Sequence, residues 1–413
     1  MLSPYRVLDL TNERGLLCGQ MLGDLGADVV QIEPPGGSRA RRIGPFLNDT
    51  PHPDRSLHWW AYTRNKRSVT LDLDTADGQA ILRRLVERAD FLIESDTPGT
   101  QATRGLGYSK LAAVNPRLVY VSITPFGQTG PKAHWLDSDL VLMAAGGPLL
   151  LTGDEDRPPV RMSVPQAYAH AGAEAAGAAL IANHERQRSG MGQHVDVSAQ
   201  QAVALATQST LLSSAVGFPE ARRISGGVGL GPFTVRFVFP AKDGHVSITF
   251  LFGSSVGPFT RRLMVYIHDE GFCDAATRDK DWLRYFDMIF SGEEPFTELE
   301  RVKDVVATFT RTKTKAELLQ AARERDLLIA PVATTREVVE SEQLAARDYW
   351  QTLDHPELGR AIRYPGPFGR ASETPLRYRR RPPTVGEHNR EIYAGELGFT
   401  SEQLGELAAA GII

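Results

Sequence analysis

The N-terminal third of the chain alternates short apolar runs with segments whose apolar side chains recur at helical spacing. RVLDL (6–10) and DVVQIE (28–33) are typical of buried strands, and the intervening residues 15–26 place leucine and methionine on one helical face. Three later strand-like runs alternate with helical segments: VTLDL (69–73), FLIES (91–95) and LVYVSIT (118–124). Because parallel strands need crossover connections, this alternation predicts an α/β fold with a parallel sheet.

The middle of the chain contains a long predicted helix of small side chains. It begins near Ala167 with AYAHAGAEAAGAA and ends in a glycine-rich turn before the strand-like run HVDVS (194–198). A helix without bulky side chains lets another backbone approach closely, which predicts a position at a helix–helix or domain seam. Tyr168 and His170 are the polar side chains at its start.

The pattern changes at residue 221. RRISGGVGLGPF resembles a flexible glycine loop, and TVRFVFP (234–240) and HVSITFLF (245–252) alternate like antiparallel strands around the turn KDG. We therefore expect a small α+β domain at 221–328. It would interrupt a larger domain formed by residues 1–220 and 329–413.

Length and composition fit a soluble protein of two domains. At 413 residues the chain exceeds one compact core, and its net charge of −4 indicates no general affinity for nucleic acid or anionic membranes. The basic run RYRRRPP (377–383) is predicted to be a solvated linker. Two cysteines are too few for a disulfide framework or a cysteine-based metal cluster, and no secretory signal or membrane-spanning run is apparent. We expect a cytoplasmic protein without a metal site.

The polar stretch 34–68 is the most basic part of the N-terminal half. Its cationic side chains are Arg39, Arg41, Arg42, Lys66 and Arg67. Two interpretations remain open, a solvated surface loop and a binding segment for a phosphate-bearing ligand.

Several strings, taken in order, resemble the family III CoA-transferases, which include formyl-CoA transferase, carnitine CoA-transferase and α-methylacyl-CoA racemase. They span nearly the whole chain and include LGDLGADVVQIEPPGG, NKRSVTLDLDT, LGYSKLAAVNPRLVYVSITPFGQTGP, RSGMGQHVDVS and LGFTSEQLGELAAAGII. The resemblance implies a Rossmann-like large domain built from both chain ends, a small domain from the middle, and two interlocked subunits. It also implies coenzyme A or an acyl-CoA as a substrate, with no covalently bound cofactor.

The resemblance also implies a covalent chemistry whose central residue differs in this chain. In family transferases an aspartate opening the small-residue helix forms a mixed anhydride and then an aspartyl-CoA thioester. The family pattern is Val-Pro-x-x-Asp, whereas this chain has Val-Pro-Gln-Ala followed by Tyr168. An unperturbed phenol, with a pKa of about 10, is almost fully protonated at neutral pH. Tyrosine also gives no anhydride with which to exchange CoA.

Several CoA-contacting positions implied by the resemblance are altered as well. The family pattern Glu-Asn-Phe-x-Pro-Gly is Glu94-Ser95-Asp96-Thr97-Pro98-Gly99 here. A phosphate-pairing arginine falls on Thr103, with Arg104 beside it, and an active-site glutamine falls on Arg14. The positions at which the resemblance implies CoA binding are Arg42, Leu73, Ser95, Asp96 and Arg104, together with Gly227 and Gly229 of the glycine loop.

Three functional hypotheses follow. The first is the non-catalytic subunit of a heteromeric CoA-transferase that moves CoA from an acyl-CoA such as succinyl-CoA to an aromatic or dicarboxylic acid. Its partner would be a homologous catalytic subunit in an interlocked heterodimer or heterotetramer. The alternative is a homodimeric acyl-CoA racemase, isomerase or lyase in which His170 acts as a base with Glu174 or Asp139. A binding or regulatory protein without enzymatic partners is the third.

Overall fold

The computed structural model describes residues 1–218, 221–230 and 233–413, which form two compact units. The larger unit comprises Met1–Leu149, Arg161–Pro219 and Gln343–Ile413, and the smaller comprises Leu150–Val160 and Glu220–Glu342. The predicted return to the larger domain at residue 329 differs from this division. Ile329–Pro331 is a strand that pairs with Gly244–Ile248 in the smaller unit, so the chain returns only at Gln343.

A six-stranded parallel sheet forms the centre of the larger unit, which confirms the α/β prediction. Its strands are β1 (Arg6–Asp9), β2 (Asp28–Glu33), β3 (Lys66–Thr70), β4 (Phe91–Glu94), β5 (Val119–Thr124) and β6 (His194–Ser198). They are arranged in the order β3-β2-β1-β4-β5-β6, with every neighbouring pair parallel. This is the order of a Rossmann-like sheet, whose ligands bind at the carboxyl ends of the strands where the order reverses, between β1 and β4.

Helices cover both faces of the sheet. The helices of the larger unit up to residue 218 are α1 (Leu16–Asp24), α2 (Leu57–Thr63), α3 (Ala76–Val86), α4 (Thr100–Thr103), α5 (Tyr108–Val114), α6 (Asp139–Ala145), α7 (Ala167–Ser189), α8 (Ala199–Leu205) and α9 (Gln208–Ala215). The small-residue helix α7 packs against α1, as the sequence predicts. A Cβ atom added to Gly172 would lie 2.9 Å from Cβ of Leu17, so the close approach of the two helices requires glycine.

Strand β3 begins three residues earlier than its apolar run predicts. It starts at Lys66, whose side chain is completely buried. The Lys66 ammonium donates to Oδ2 of Asp9 at 2.7 Å, to Oε1 of Gln31 at 2.9 Å and to the carbonyl of Leu16 at 3.0 Å. These three partners offset the cost of burying the charged ammonium. The polar residues that begin β3 give no apolar signal, so the sequence pattern does not predict a strand there.

The C-terminal segment covers the outer edge of β3. The Asn65 amide donates to the carbonyl of Arg380 at 3.0 Å, and the Thr70 amide donates to Oδ1 of Asn389 at 2.9 Å. Arg379 donates to the backbone carbonyls of residues 23, 26 and 27. The basic run 377–383 is thus docked on the larger unit and is not the predicted solvated linker.

The smaller unit is of the α+β type. Its strands are β7 (Gly227–Leu230), β8 (Phe233–Arg236), β9 (Val238–Ala241), β10 (Gly244–Ile248) and β11 (Ile329–Pro331). Its helices are α10 (Gly257–Asp269), α11 (Ala275–Arg278), α12 (Tyr285–Ser291), α13 (Phe296–Thr310), α14 (Lys315–Arg325) and α15 (Thr335–Val339). β9, β10 and β11 form an antiparallel sheet, and β7 pairs with β8.

The remaining α-helices and strands are α16 (Glu342–Ala346), β12 (Gln351–His355), β13 (Arg360–Tyr364) and α17 (Ser401–Ala409). β12 and β13 pair as an antiparallel ribbon. None of the helices in the described ranges has both the length and the apolar character required to cross a bilayer.

Candidate functional site

The start of α7 is held by a carboxylate from another helix. Gln166, the residue before the helix, provides no side-chain cap, and Oδ1 of Asp139 instead accepts from the backbone amides of Gln166 at 2.6 Å and Ala167 at 2.8 Å. A carboxylate at this position also stabilises the helix through its dipole. Asp139 therefore positions the first turn of α7, which carries Tyr168.

The Tyr168 hydroxyl lies in a buried charged network. It donates to Oδ2 of Asp137 at 2.5 Å, while Nη2 of Arg14 donates to Oδ1 of the same carboxylate at 2.5 Å. The Asp137 side chain is only 6 % exposed. Burial, and then the hydrogen bond to Asp137, raise the pKa of Tyr168 above its ordinary value. The phenol is thus held protonated, which is the opposite of what an oxygen nucleophile requires.

A small cavity of about 100 Å³ lies beside Tyr168. Its walls are formed by Glu13, Leu16, Leu17, His58, Tyr62, Val164, Pro165, Tyr168 and Ala169. The His58 ring lies 5.0 Å from that of Tyr62, and burial lowers the pKa of His58, which favours the neutral imidazole. Nε2 of His58 is buried without a hydrogen-bond partner in the described part of the chain.

The proposed acid–base group around His170 is not assembled. His170 is half-buried in the first turn of α7, and its imidazole forms no hydrogen bond or ion pair within the described residues. Glu174 is exposed and does not pair with it there, and Asp139 caps the helix. The structure therefore brings together Tyr168, Asp137 and Arg14, and it does not join His170 to Glu174 or Asp139.

A larger pocket of about 290 Å³ opens at the carboxyl ends of β1 to β4, where the strand order predicts a ligand site. Leu73, Asp96 and Arg104, all expected CoA contacts, line it together. Ser95, another expected contact, is buried and does not line the pocket, and its hydroxyl accepts from the backbone amide of Asn12 at 3.1 Å.

The two guanidinium groups of this pocket are already paired with carboxylates. Nε of Arg104 donates to Asp74 at 2.7 Å and Nη1 donates to Asp96 at 3.2 Å. Arg39 forms two contacts of 2.8 Å with Glu13. Arg42 is exposed, does not line the pocket and has no ion pair in the residues described. A phosphate entering the pocket would therefore compete with internal acids.

Glu94, at the end of β4, is a buried carboxyl two residues before Asp96, which lines the same pocket. Its Oε2 accepts from the Asp96 amide at 2.8 Å. Burial is the largest influence and raises the pKa of Glu94 to about 7. Near neutral pH this residue is therefore part protonated and part ionised.

The two glycines expected to contact CoA lie in the smaller unit. Gly227 and Gly229 belong to β7 and pair with Arg236 and Thr234 of β8. A Cβ atom on Gly227 would lie 2.2 Å from the Val235 carbonyl oxygen, so this strand pairing requires glycine there. The predicted glycine loop, whose residues 231 and 232 lie outside the described ranges, thus contains a strand that pairs antiparallel with β8.

Comparison with known proteins identifies the family. The sequence model of the family described as CoA-transferase family III matches residues 2–389. The chain belongs to CoA-transferase family III. It is 35 % identical to the succinyl-CoA:(R)-benzylsuccinate CoA-transferase subunit BbsE of Thauera aromatica, over 100 % of this chain and 98 % of that protein. It is 33 % identical to the succinyl-CoA–D-citramalate CoA-transferase of Chloroflexus aurantiacus, with the same coverage.

The fold agrees with that of a solved relative. A CaiB/BaiF family protein from Brucella suis superimposes with a TM-score of 0.80 at 26 % identity, covering 95 % of this chain and 98 % of that one. This member of CoA-transferase family III therefore has the Rossmann-like architecture that the sequence motifs imply.

Two residues of the site were not singled out from the sequence. Asp137 lies 31 positions before its partner Tyr168, and His58 lies in the polar stretch 34–68. The segment LDSDL contains two aspartates, Asp137 and Asp139, and the family resemblance indicates a role for Asp139 alone. No other pattern in the sequence indicates Asp137.

Proposed function

We propose that this chain is the non-catalytic subunit of a heteromeric family III CoA-transferase. The observation that carries the proposal is the state of Tyr168, which stands where the family resemblance places the nucleophile. Its hydroxyl donates to Oδ2 of Asp137 at 2.5 Å, and burial raises its pKa, which favours the protonated phenol. Covalent transfer of the acyl group would then take place on a different chain.

The similarity to a protein described as a CoA-transferase subunit supports a heteromeric assembly. The partner we propose is a homologous chain with aspartate in the Val-Pro-x-x-Asp position, interlocked with this one as a heterodimer or heterotetramer. Relatives named for succinyl-CoA with benzylsuccinate or citramalate favour succinyl-CoA as the donor and a dicarboxylic acid as the acceptor. In this arrangement coenzyme A is carried as a substrate.

The test is reconstitution from separately purified chains. This chain, a homologous aspartate-bearing chain from the same organism, and an equimolar mixture are assayed for transfer of CoA from succinyl-CoA to benzylsuccinate and to citramalate. We expect turnover only in the mixture, and its loss when the partner's aspartate is replaced by alanine. Turnover by this chain alone at the rate of the mixture would refute the proposal.

A further inference from the structure

Arg14 and Tyr168 hold Asp137 in the manner in which proteins hold a carboxylic acid ligand. The guanidinium and the phenol each donate to a different oxygen of one carboxylate, both at 2.5 Å. Charge-assisted hydrogen bonds of this kind are the strong ones in carboxylate recognition. The pair therefore provides a carboxylate-binding arrangement whose present occupant is a side chain of the same protein.

Asp137 lies between two exposed residues and an anchored turn, in which Ser138 caps α6 and Asp139 caps α7. The two residues before it, Trp135 and Leu136, are 58 % and 93 % exposed. Departure of the Asp137 side chain would expose little apolar surface, and its carboxylate would regain hydration in solvent. Displacement by another carboxylate exchanges one set of charge-assisted hydrogen bonds for an equivalent set.

The cavity beside Tyr168 offers space for the rest of a small acid. Tyr168 belongs both to its wall and to the carboxylate-binding pair, whereas Arg14 and Asp137 lie outside its lining. At about 100 Å³ the cavity is smaller than the apolar cavity of roughly 150 Å³ that accommodates benzene, which favours a short aliphatic body. Its acidic wall residue, Glu13, is paired with Arg39, which lessens its repulsion of an anion. The imidazole of His58 lines the same cavity, and burial lowers its pKa, which favours the neutral ring.

We propose that Arg14 and Tyr168 are a binding site for the carboxylate of a short aliphatic acid, and that Asp137 occupies this site in the free chain. The acid displaces Asp137 and places its body in the cavity lined by His58 and Tyr62. The inference deepens the proposed function and rests on it for one point only, that this acid is an acceptor or a product acid of the CoA transfer.

Removal of the internal occupant provides the test. Succinate is titrated calorimetrically into the full-length chain and into Asp137→Ala at constant ionic strength. We expect Asp137→Ala to bind succinate at least about tenfold more tightly, because the acid no longer competes with a tethered carboxylate. Adding Tyr168→Phe or Arg14→Gln to this variant should reverse the gain by about tenfold or more, the effect of losing one hydrogen bond to a charged group.

Two further variants keep the result interpretable. Asp137→Asn retains the shape of the side chain and one acceptor for Tyr168, so it replaces Asp137→Ala if that variant fails to fold. It should also bind succinate more tightly than the parent chain. Asp77→Ala removes an exposed carboxylate that lines neither cavity and should leave succinate affinity unchanged.

The inference is wrong if folded Asp137 variants bind succinate no more tightly than the parent chain, or if the gain persists with Tyr168→Phe. These measurements involve binding without turnover. A negative result would leave the reconstitution experiment unaffected, and failure of reconstitution would not alter the binding result.

Discussion

Tyr168 and Asp137 stabilise each other in a nearly dry environment. Replacing Tyr168 by phenylalanine leaves one oxygen of a buried carboxylate without its donor. We expect Tyr168→Phe to lower the free energy of unfolding by about 1–3 kcal/mol, measured by urea denaturation. Tyr349→Phe is the matched control, because its hydroxyl forms no hydrogen bond within the described residues. Equal effects of the two substitutions would contradict this account.

Glu94 makes stability depend on pH in a direction opposite to that of an ion-paired carboxylate. Burial raises its pKa to about 7, so the folded protein binds the proton more tightly than the unfolded chain. The stability from this protonated group is complete below its unfolded pKa and is lost as the pH rises through about 7.

We therefore expect Glu94→Gln to be nearly neutral at pH 4.5 and stabilising at pH 8, by up to about 3 kcal/mol. Glutamine can still accept from the Asp96 amide. Thermal or urea denaturation at both pH values measures the difference. Glu373→Gln, at an exposed loop position, is the control and should show no comparable dependence. An advantage of Glu94→Gln that is larger at pH 4.5 than at pH 8 would show that the sign is wrong.

At the scale of the element, α7 contains two glycines with different roles. Gly172 faces Leu17 of α1 at a distance that excludes a methyl group, whereas no described atom lies within 4 Å of a Cβ built on Gly177. We expect Gly172→Ala to destabilise the protein by about 1–3 kcal/mol through overpacking. Gly177→Ala should stabilise it by up to about 1 kcal/mol through helix propensity. Denaturant unfolding compares them, and a gain in stability from both would disprove the packing argument.

Elements whose character is local could be predicted from the sequence. Alternating apolar runs marked β1, β2, β4 and β5, and the alanine-rich pattern marked α7. The start of β3 at Lys66 could not be read, because the partners that permit its burial, Asp9 and Gln31, lie on other strands. Asp137 was missed for the same reason, since its importance arises from contacts with residues distant in sequence.

At the scale of the whole molecule, the charge of the larger pocket bears on how tightly the isolated chain would bind CoA. Its wall contains four carboxylates, Glu33, Asp72, Asp74 and Asp96, and two arginines that are paired. We expect the isolated chain to bind CoA weakly, because the phosphates must displace carboxylates from Arg104.

Neutralising the two partners of Arg104 should reverse this effect. We expect Asp74→Asn combined with Asp96→Asn to tighten CoA binding by about tenfold or more, measured by calorimetry, and to leave adenosine binding unchanged because adenosine has no phosphate. Asp77→Asn, whose side chain is exposed outside the pocket, should have little effect. If the double substitution binds CoA no better than the parent chain, the pairing of Arg104 does not limit affinity.

The docking of the C-terminal segment on β3 has a consequence for how the chain is made. Asn65 and its backbone partner Arg380 are 315 residues apart, so a ribosome adding about 5–20 residues per second exposes β3 roughly 15–60 seconds before its cover exists. An open strand edge is a template for pairing with other chains. The nascent polypeptide therefore passes through an interval in which the open edge of β3 can pair with another chain.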